Sequence, residues 1–199
     1  MVTLAFRPRV VPAPDDLVAR ARRLTLVLTD CDGVLTDGGV YYSETGELAK
    51  RFSVRDGMGV ERLRAAGIET AIVTREASAI VARRAEKLRL PQLFLGVRDK
   101  EAHLSVILRQ ARRGLDELAF IGDDVNDLGI MGAVGSHGLT GAPCDAMPEV
   151  AAAAHFLCSV PGGHGAFRDF AEWILRLRAP GGAPRVVAPQ EERELVRQS

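Results

Sequence analysis

Neither sign of charge is in excess in this 199-residue chain: 26 Lys and Arg stand against 26 Asp and Glu. Proteins that hold nucleic acid by bulk electrostatics carry a basic excess or a basic stripe, and neither is present here. Long hydrophobic runs are lacking too. The longest, such as Leu24 to Leu28, fall far short of the roughly 20 residues needed to span a bilayer. The opening MVTLAFRPRVVPAPDD has no apolar stretch followed by a small-residue cleavage site. Cysteine is scarce: Cys31, Cys144 and Cys158 are scattered and make no disulfide framework. These absences predict a soluble, reduced, cytoplasmic protein that engages neither membrane nor nucleic acid. Aromatic residues make up only 5% of the chain, so the core must rest on Leu, Val, Ile and Ala.

Apolar residues are nonetheless plentiful, at 47% of the chain, enough to bury a core. Residues 1–14 hold three prolines with little periodicity, and residues 179–199 combine Gly, Pro and charge. Both are expected to be flexible, leaving residues 15–178 as one domain. Within it, strand-like and helix-like segments alternate. Leu24–Thr29, Glu69–Val73, Gln92–Leu95 and Leu118–Ile121 read as strands, and Asp15–Arg23, Met58–Ala66, Ala77–Leu88 and Lys100–Arg112 as helices. Gly39–Ser43 and Leu48–Val54 flank Glu44-Thr45-Gly46-Glu47 and predict a hairpin. The pattern predicts an α/β fold, a Rossmann-like parallel sheet flanked by helices with a β-hairpin insertion after the first strand. In such sheets ligands bind beyond the carboxyl ends of the strands.

Two of those ends are acidic. Asp30-Cys31-Asp32-Gly33-Val34-Leu35-Thr36-Asp37 follows the first core strand, and Gly122-Asp123-Asp124-Val125-Asn126-Asp127 follows LAFI. If the two strands are neighbours, six carboxylates converge and repel. A hard divalent cation relieves that conflict, and oxygen-only ligands suit Mg²⁺ rather than zinc. Two further ends carry Thr74 and, after Gly96-Val97-Arg98-Asp99, Lys100; a hydroxyl and an ammonium there suit phosphate oxygens. Other chemistries lack their parts. No Arg stands six residues after any cysteine to cradle a phosphate. His103, His137, His155 and His164 are too scattered for a zinc motif, and no P-loop is present.

The four motifs together resemble those of the haloacid dehalogenase superfamily of phosphatases: DxDGxxTD at Asp30–Asp37, then Thr74, Lys100 and GDDxxD at Gly122–Asp127. The 42 residues from Asp32 to Thr74 leave room for a hairpin but not for a cap domain. Phe52-Ser53-Val54-Arg55-Asp56-Gly57, Arg83–Leu88 and Gly162–Arg168 narrow the resemblance to the capless branch acting on 3-deoxy-2-keto sugar acids. That branch includes 3-deoxy-D-manno-octulosonate 8-phosphate phosphatases and nonulosonate 9-phosphate phosphatases. Octulosonate enzymes usually read Thr-Gly-Arg where this chain has Thr74-Arg75-Glu76, and Arg where Glu61 stands. Thr-x-Glu is closer to the nonulosonate and cytidylyltransferase-linked relatives, which favours a nine-carbon or closely related sugar-acid phosphate over the eight-carbon one.

The resemblance implies a Mg²⁺-dependent phosphatase. Asp30 would be the nucleophile and Asp32 the acid/base, with Thr74 and Lys100 gripping the phosphoryl oxygens. Mg²⁺ would be held by the Asp30 carboxylate, the Asp32 carbonyl and Asp123, with Asp124 or Asp127 helping through water. Ser53, Val54, Arg55, Asp56, Gly57, Arg84 and Lys100 would bind substrate, Arg55 and Arg84 meeting the sugar-acid carboxylate; Lys50, Arg51 and Arg168 are further cations for it. A homotetramer whose neighbouring subunits complete each other's sites is also implied. Two other readings share parts of the pattern. One is a catalytically silent module of this fold, as in some acylneuraminate cytidylyltransferase fusions. The other is a receiver-type signalling domain, which would lack DxDGxxTD.

Overall fold

A computed structural model describes residues 14–180; apart from residues 14, 179 and 180, the tails expected over residues 1–14 and 179–199 lie outside the described residues. The first half of the chain forms α1 (Pro14–Arg23), β1 (Leu26–Thr29), β2 (Thr36–Ser43), β3 (Gly46–Phe52), α2 (Val54–Ala65), β4 (Glu69–Val73), α3 (Ala79–Lys87) and β5 (Gln92–Phe94). The second half forms α4 (Lys100–Ala111), β6 (Leu118–Ile121), α5 (Leu128–Gly135), β7 (Leu139–Ala142), α6 (Pro148–Ala153), β8 (Phe156–Leu157) and α7 (Ala166–Arg178). Six strands make one sheet in the order β5-β4-β1-β6-β7-β8, and every pairing in it is parallel.

Strand periodicity divides the core. Val27, Ile72, Ala119 and Ile121 face α1, α2, α3 and α7, while Leu26, Leu28, Ala71, Val73, Leu118 and Phe120 face α4, α5 and α6. With both faces covered, β1, β4, β6 and β7 are buried along nearly their whole length rather than alternating. The few aromatic residues are concentrated: Trp173 of α7 stacks on Phe156 at 4.9 Å and on Phe170 at 5.8 Å between ring centroids.

Local chemistry sets the element ends. Ser53 caps α2 by accepting from Arg55 N at 3.1 Å, so this helix begins four residues earlier than the Met58 start expected from periodicity. Ser78 and Asp99 cap α3 and α4 likewise. Between β1 and β4 lie only α2 and the antiparallel β2–β3 hairpin, with Gly46 at φ +120° in its turn; no cap domain is inserted. The hairpin stands apart from the main sheet and exposes most of both its faces, Tyr41 (63% exposed), Tyr42 (71%) and Leu48 (66%) among them.

Candidate active site

The strand order assembles the site. β1 lies between β4 and β6, and Thr29 is in register with Ile121, so the acidic loops after β1 and β6 emerge side by side. Thr74 directly follows β4 on the other side of β1, and Lys100 opens α4 after β5. The Lys100 side chain is fully buried, yet its Nζ lies 2.9 Å from Asp30 Oδ1 and 2.5 Å from Asp127 Oδ1. Burial works against this ammonium, but the two carboxylates outweigh it and hold its pKa above the ordinary lysine value.

Carboxylate oxygens of Asp30, Asp123 and Asp127 lie within 4.8 Å of one another. Asp127 Oδ2 accepts from Asp123 N at 3.1 Å, Asp30 Oδ1 accepts from Cys31 N at 2.7 Å, and Asp123 Oδ1 is buried without a hydrogen-bond partner. With the protein's own groups alone, burial pushes Asp30 up to about 7, Lys100 opposing the rise and Asp127 adding to it. Burial, then Asp30 and Asp127, push Asp123 up to about 8. An orphaned buried carboxylate oxygen beside two more carboxylates fits a hard divalent cation with oxygen ligands. Glycine makes the approach feasible: at Gly33 (φ +88°) a Cβ would fall 1.9 Å from Asp123 Oδ2.

Asp124, expected to help hold the metal, is exposed and turns its carboxylate to Val125 N at 2.7 Å, capping the 3₁₀ turn Val125–Asp127. Asp127, at the end of that turn, is the one directed back into the cluster. The Asp32 carboxylate also stands apart from it. Thr36 Oγ1 donates to Asp32 Oδ1 at 3.1 Å, and Lys50 Nζ donates to Asp32 Oδ2 at 2.5 Å. Thr74 is buried, its hydroxyl oxygen accepting from Glu76 N at 3.3 Å.

The expected substrate-binding residues divide. Arg84 joins the Ser53–Gly57 segment: its Nη2 donates to Ser53 O at 2.9 Å, its guanidinium lies 5.4 Å from the centre of the Phe52 ring, and it covers Gly57. Val54 (82% exposed) and Arg55 face outward. Asp56 instead points inward and accepts from Arg168 N at 3.0 Å, serving as a cap for α7, which starts after Gly165 and has no side-chain cap of its own. Burial raises Asp56 to about 6 against the backbone donors of α7. The other cations are engaged, Arg51 with Gly163 O and Asp37, and Arg168 with Glu172. The Gly162–Gly165 turn rests on the loop after β1, Gly163 N donating to Val34 O at 2.9 Å. Lys50 and Thr36 are the site residues that motif reading did not place beside Asp32. Sequence offers little signal for Lys50, which sits buried in a strand whose other residues are half-buried or exposed.

No family model matches the chain, but individual proteins do. It is 35% identical over 164 residues to the 3-deoxy-D-manno-octulosonate 8-phosphate phosphatase KdsC of Yersinia pestis, spanning 82% of this chain and 86% of that one. The cobalt-bound deoxy-D-mannose-octulosonate 8-phosphate phosphatase of Haemophilus influenzae superposes with a TM-score of 0.75 at 37% identity, covering 80% of this chain and 91% of that one. The Moraxella catarrhalis phosphatase in complex with magnesium, phosphate and KDO gives 0.76 at 28% identity, covering 93% and 99%. With most of both lengths matched and the acidic motifs folded into one cluster, the chain belongs to the 3-deoxy-D-manno-octulosonate 8-phosphate phosphatase family of haloacid dehalogenase-type hydrolases.

Proposed function

We propose that this chain hydrolyses, with Mg²⁺, the phosphate monoester of a 3-deoxy-2-keto sugar acid, and that Asp30 is the nucleophile. The observation that carries the reading is the grouping of Asp30 with Lys100, Asp123 and Asp127 at the carboxyl ends of two adjacent parallel strands. Octulosonate 8-phosphate is the first substrate to test, because the named relatives act on it. Thr74-Arg75-Glu76 favours a nonulosonate 9-phosphate as the second.

In the first step an Asp30 carboxylate oxygen bonds to phosphorus as the ester P–O bond breaks, and Asp32 gives its proton to the departing alkoxide. In the second, water attacks the aspartyl-phosphate, Asp32 takes the water's proton, and the Asp30–phosphorus bond breaks to release inorganic phosphate. Lys100 and Thr74 hold the phosphoryl oxygens, and Arg55 and Arg84 meet the sugar-acid carboxylate. Asp30, Asp123 and Asp127, with the Asp32 carbonyl, would hold Mg²⁺. The bound cation screens nucleophile from phosphate and stabilises charge on the phosphoryl oxygens in the transition state.

The hairpin supports a homotetramer as the working form. A lone two-stranded hairpin is marginal in water, and exposed Tyr41, Tyr42 and Leu48 offer a surface for other copies of the chain. Among the described residues no helix is long and apolar enough to cross a membrane; action on a dissolved substrate in the cytoplasm is part of the proposal.

The test is Mg²⁺-dependent phosphate release from the eight- and nine-carbon sugar-acid phosphates against simple sugar phosphates. Turnover is expected to favour a sugar acid and to vanish in Asp30→Asn with the fold intact by circular dichroism. Wild-type turnover by Asp30→Asn overturns the assignment of the nucleophile. Equal, poor hydrolysis of every ester overturns the substrate class.

A further inference from the structure

We infer that Lys50 is a positioning residue for Asp32, clamping its carboxylate from the hairpin and so tying the hairpin's seating to proton transfer at the leaving group. The inference rests on the phosphatase reading above and concerns a side chain outside its nucleophile, metal and phosphate contacts.

The geometry is specific. Lys50 belongs to β3, opposite Val40 of β2, and is the buried residue of a strand otherwise half-buried or exposed. Its side chain, 1% exposed, contacts two carboxylates: Asp32 Oδ2 at 2.5 Å and Glu47 Oε1 at 3.2 Å. Glu47 carries the chain of contacts onward, because its other oxygen accepts from the hydroxyl of Ser78, the residue that caps α3. Thr36, the first residue of β2, fixes the remaining Asp32 oxygen. Both oxygens of the acid/base are therefore held by the hairpin, one from each strand. A carboxyl group that must deliver a proton to a departing oxygen and then, as the carboxylate, take one from water gains rate from a fixed direction. A buried ammonium with ionic partners supplies that fixity better than a solvated one. Leaving these carboxylates without it removes the clamp while keeping the nucleophile and its own lysine, Lys100, in place.

Leaving-group dependence separates positioning from mere support. An aryl phosphate with an acidic phenol departs with little need of a proton, whereas an alkyl phosphate needs one. We would measure kcat/KM on a series of aryl and simple alkyl phosphates for the wild type, Lys50→Met and Asp32→Asn, with folding and assembly checked by circular dichroism and sedimentation. Lys50→Met is expected to lose activity at least about ten-fold more on alkyl than on activated aryl esters, steepening the dependence toward that of Asp32→Asn. Glu47→Gln, which keeps Lys50 and its bond to Asp32, is expected to shift the slope the same way by less, and it substitutes for Lys50→Met should that variant not fold. A parallel fall on all esters, or an unchanged profile, in whichever variant folds overturns the positioning role. A wild type that hydrolyses no monoester overturns the phosphatase reading itself, and the inference with it.

Discussion

At the scale of single residues, the site is a problem of crowded negative charge. Asp30 and Asp123 each bind a proton more tightly than an ordinary carboxylate, chiefly because they are buried. A cation must displace those protons, so Mg²⁺ affinity is expected to rise as pH climbs from 6 through the raised values near 7 and 8. Calorimetric titration in buffers of different ionisation enthalpy checks this; proton release that does not fall from pH 6 to pH 9 contradicts it. Gly33 is the second residue with a sharp consequence. A methyl group there meets the Asp123 carboxylate and also forces a left-handed backbone on an alanine. Gly33→Ala is expected to cost roughly 10–100-fold in Mg²⁺ affinity, as disturbed ligand orientation does elsewhere. Apparent Mg²⁺ activation constants measure it.

At the scale of elements, the hairpin is exposed to the most specific test. If Tyr42 lies between copies of the chain, Tyr42→Glu is expected to yield a smaller species in sedimentation velocity while the far-ultraviolet spectrum stays unchanged. A single unchanged species contradicts the assembly. Elements also show what the sequence made legible. β1, β4 and β6 were readable because both their faces are covered, leaving short unbroken apolar runs between polar ends. β7 and β8 were not: Leu139–Ala142 contains Thr and Gly, and Phe156–Leu157 is two residues long, too little for any period. α5, LGIMGAVG, is apolar nearly all round and so lacks an amphipathic stripe. α7 does carry one, Phe167, Phe170, Ala171, Ile174 and Leu177, which a search for motifs passes over. Within the site, Asp30 and Lys100, which the structure brings to 2.9 Å of one another, both stand in motifs at strand ends that the sequence singles out. The choice between Asp124 and Asp127 stays open in the sequence, because both follow Asp123 closely and only the 3₁₀ turn decides which one faces inward.

At the scale of the whole molecule, the raised carboxyls couple stability to pH and to metal. The folded chain holds protons at Asp30, Asp123 and Asp56 that the unfolded chain releases near pH 3.8. Stability from these groups is therefore fully present below that value and is lost as pH rises through about 6 to 8. Metal binding offsets the loss. Mg²⁺ at about 100 times its dissociation constant is expected to add about 2.7 kcal/mol at neutral pH. Melting curves in EDTA from pH 4 to 9 test the loss, and curves with Mg²⁺ test the offset; no weakening above pH 6 contradicts the first, and coincident curves at pH 8 contradict the second.

The stacked rings under α7 carry an optical consequence. Trp173 is the sole tryptophan in the chain and is 1% exposed, packed against Phe156 and Phe170 on the sheet face covered by α1, α2, α3 and α7. The acidic cluster lies elsewhere, at the carboxyl ends of β1 and β6. Indole emission from this protein is thus a single-site reporter of whether α7 remains docked. It registers unfolding as a red shift and is a poor gauge of metal or substrate, for which an introduced fluorophore near the hairpin is the better choice.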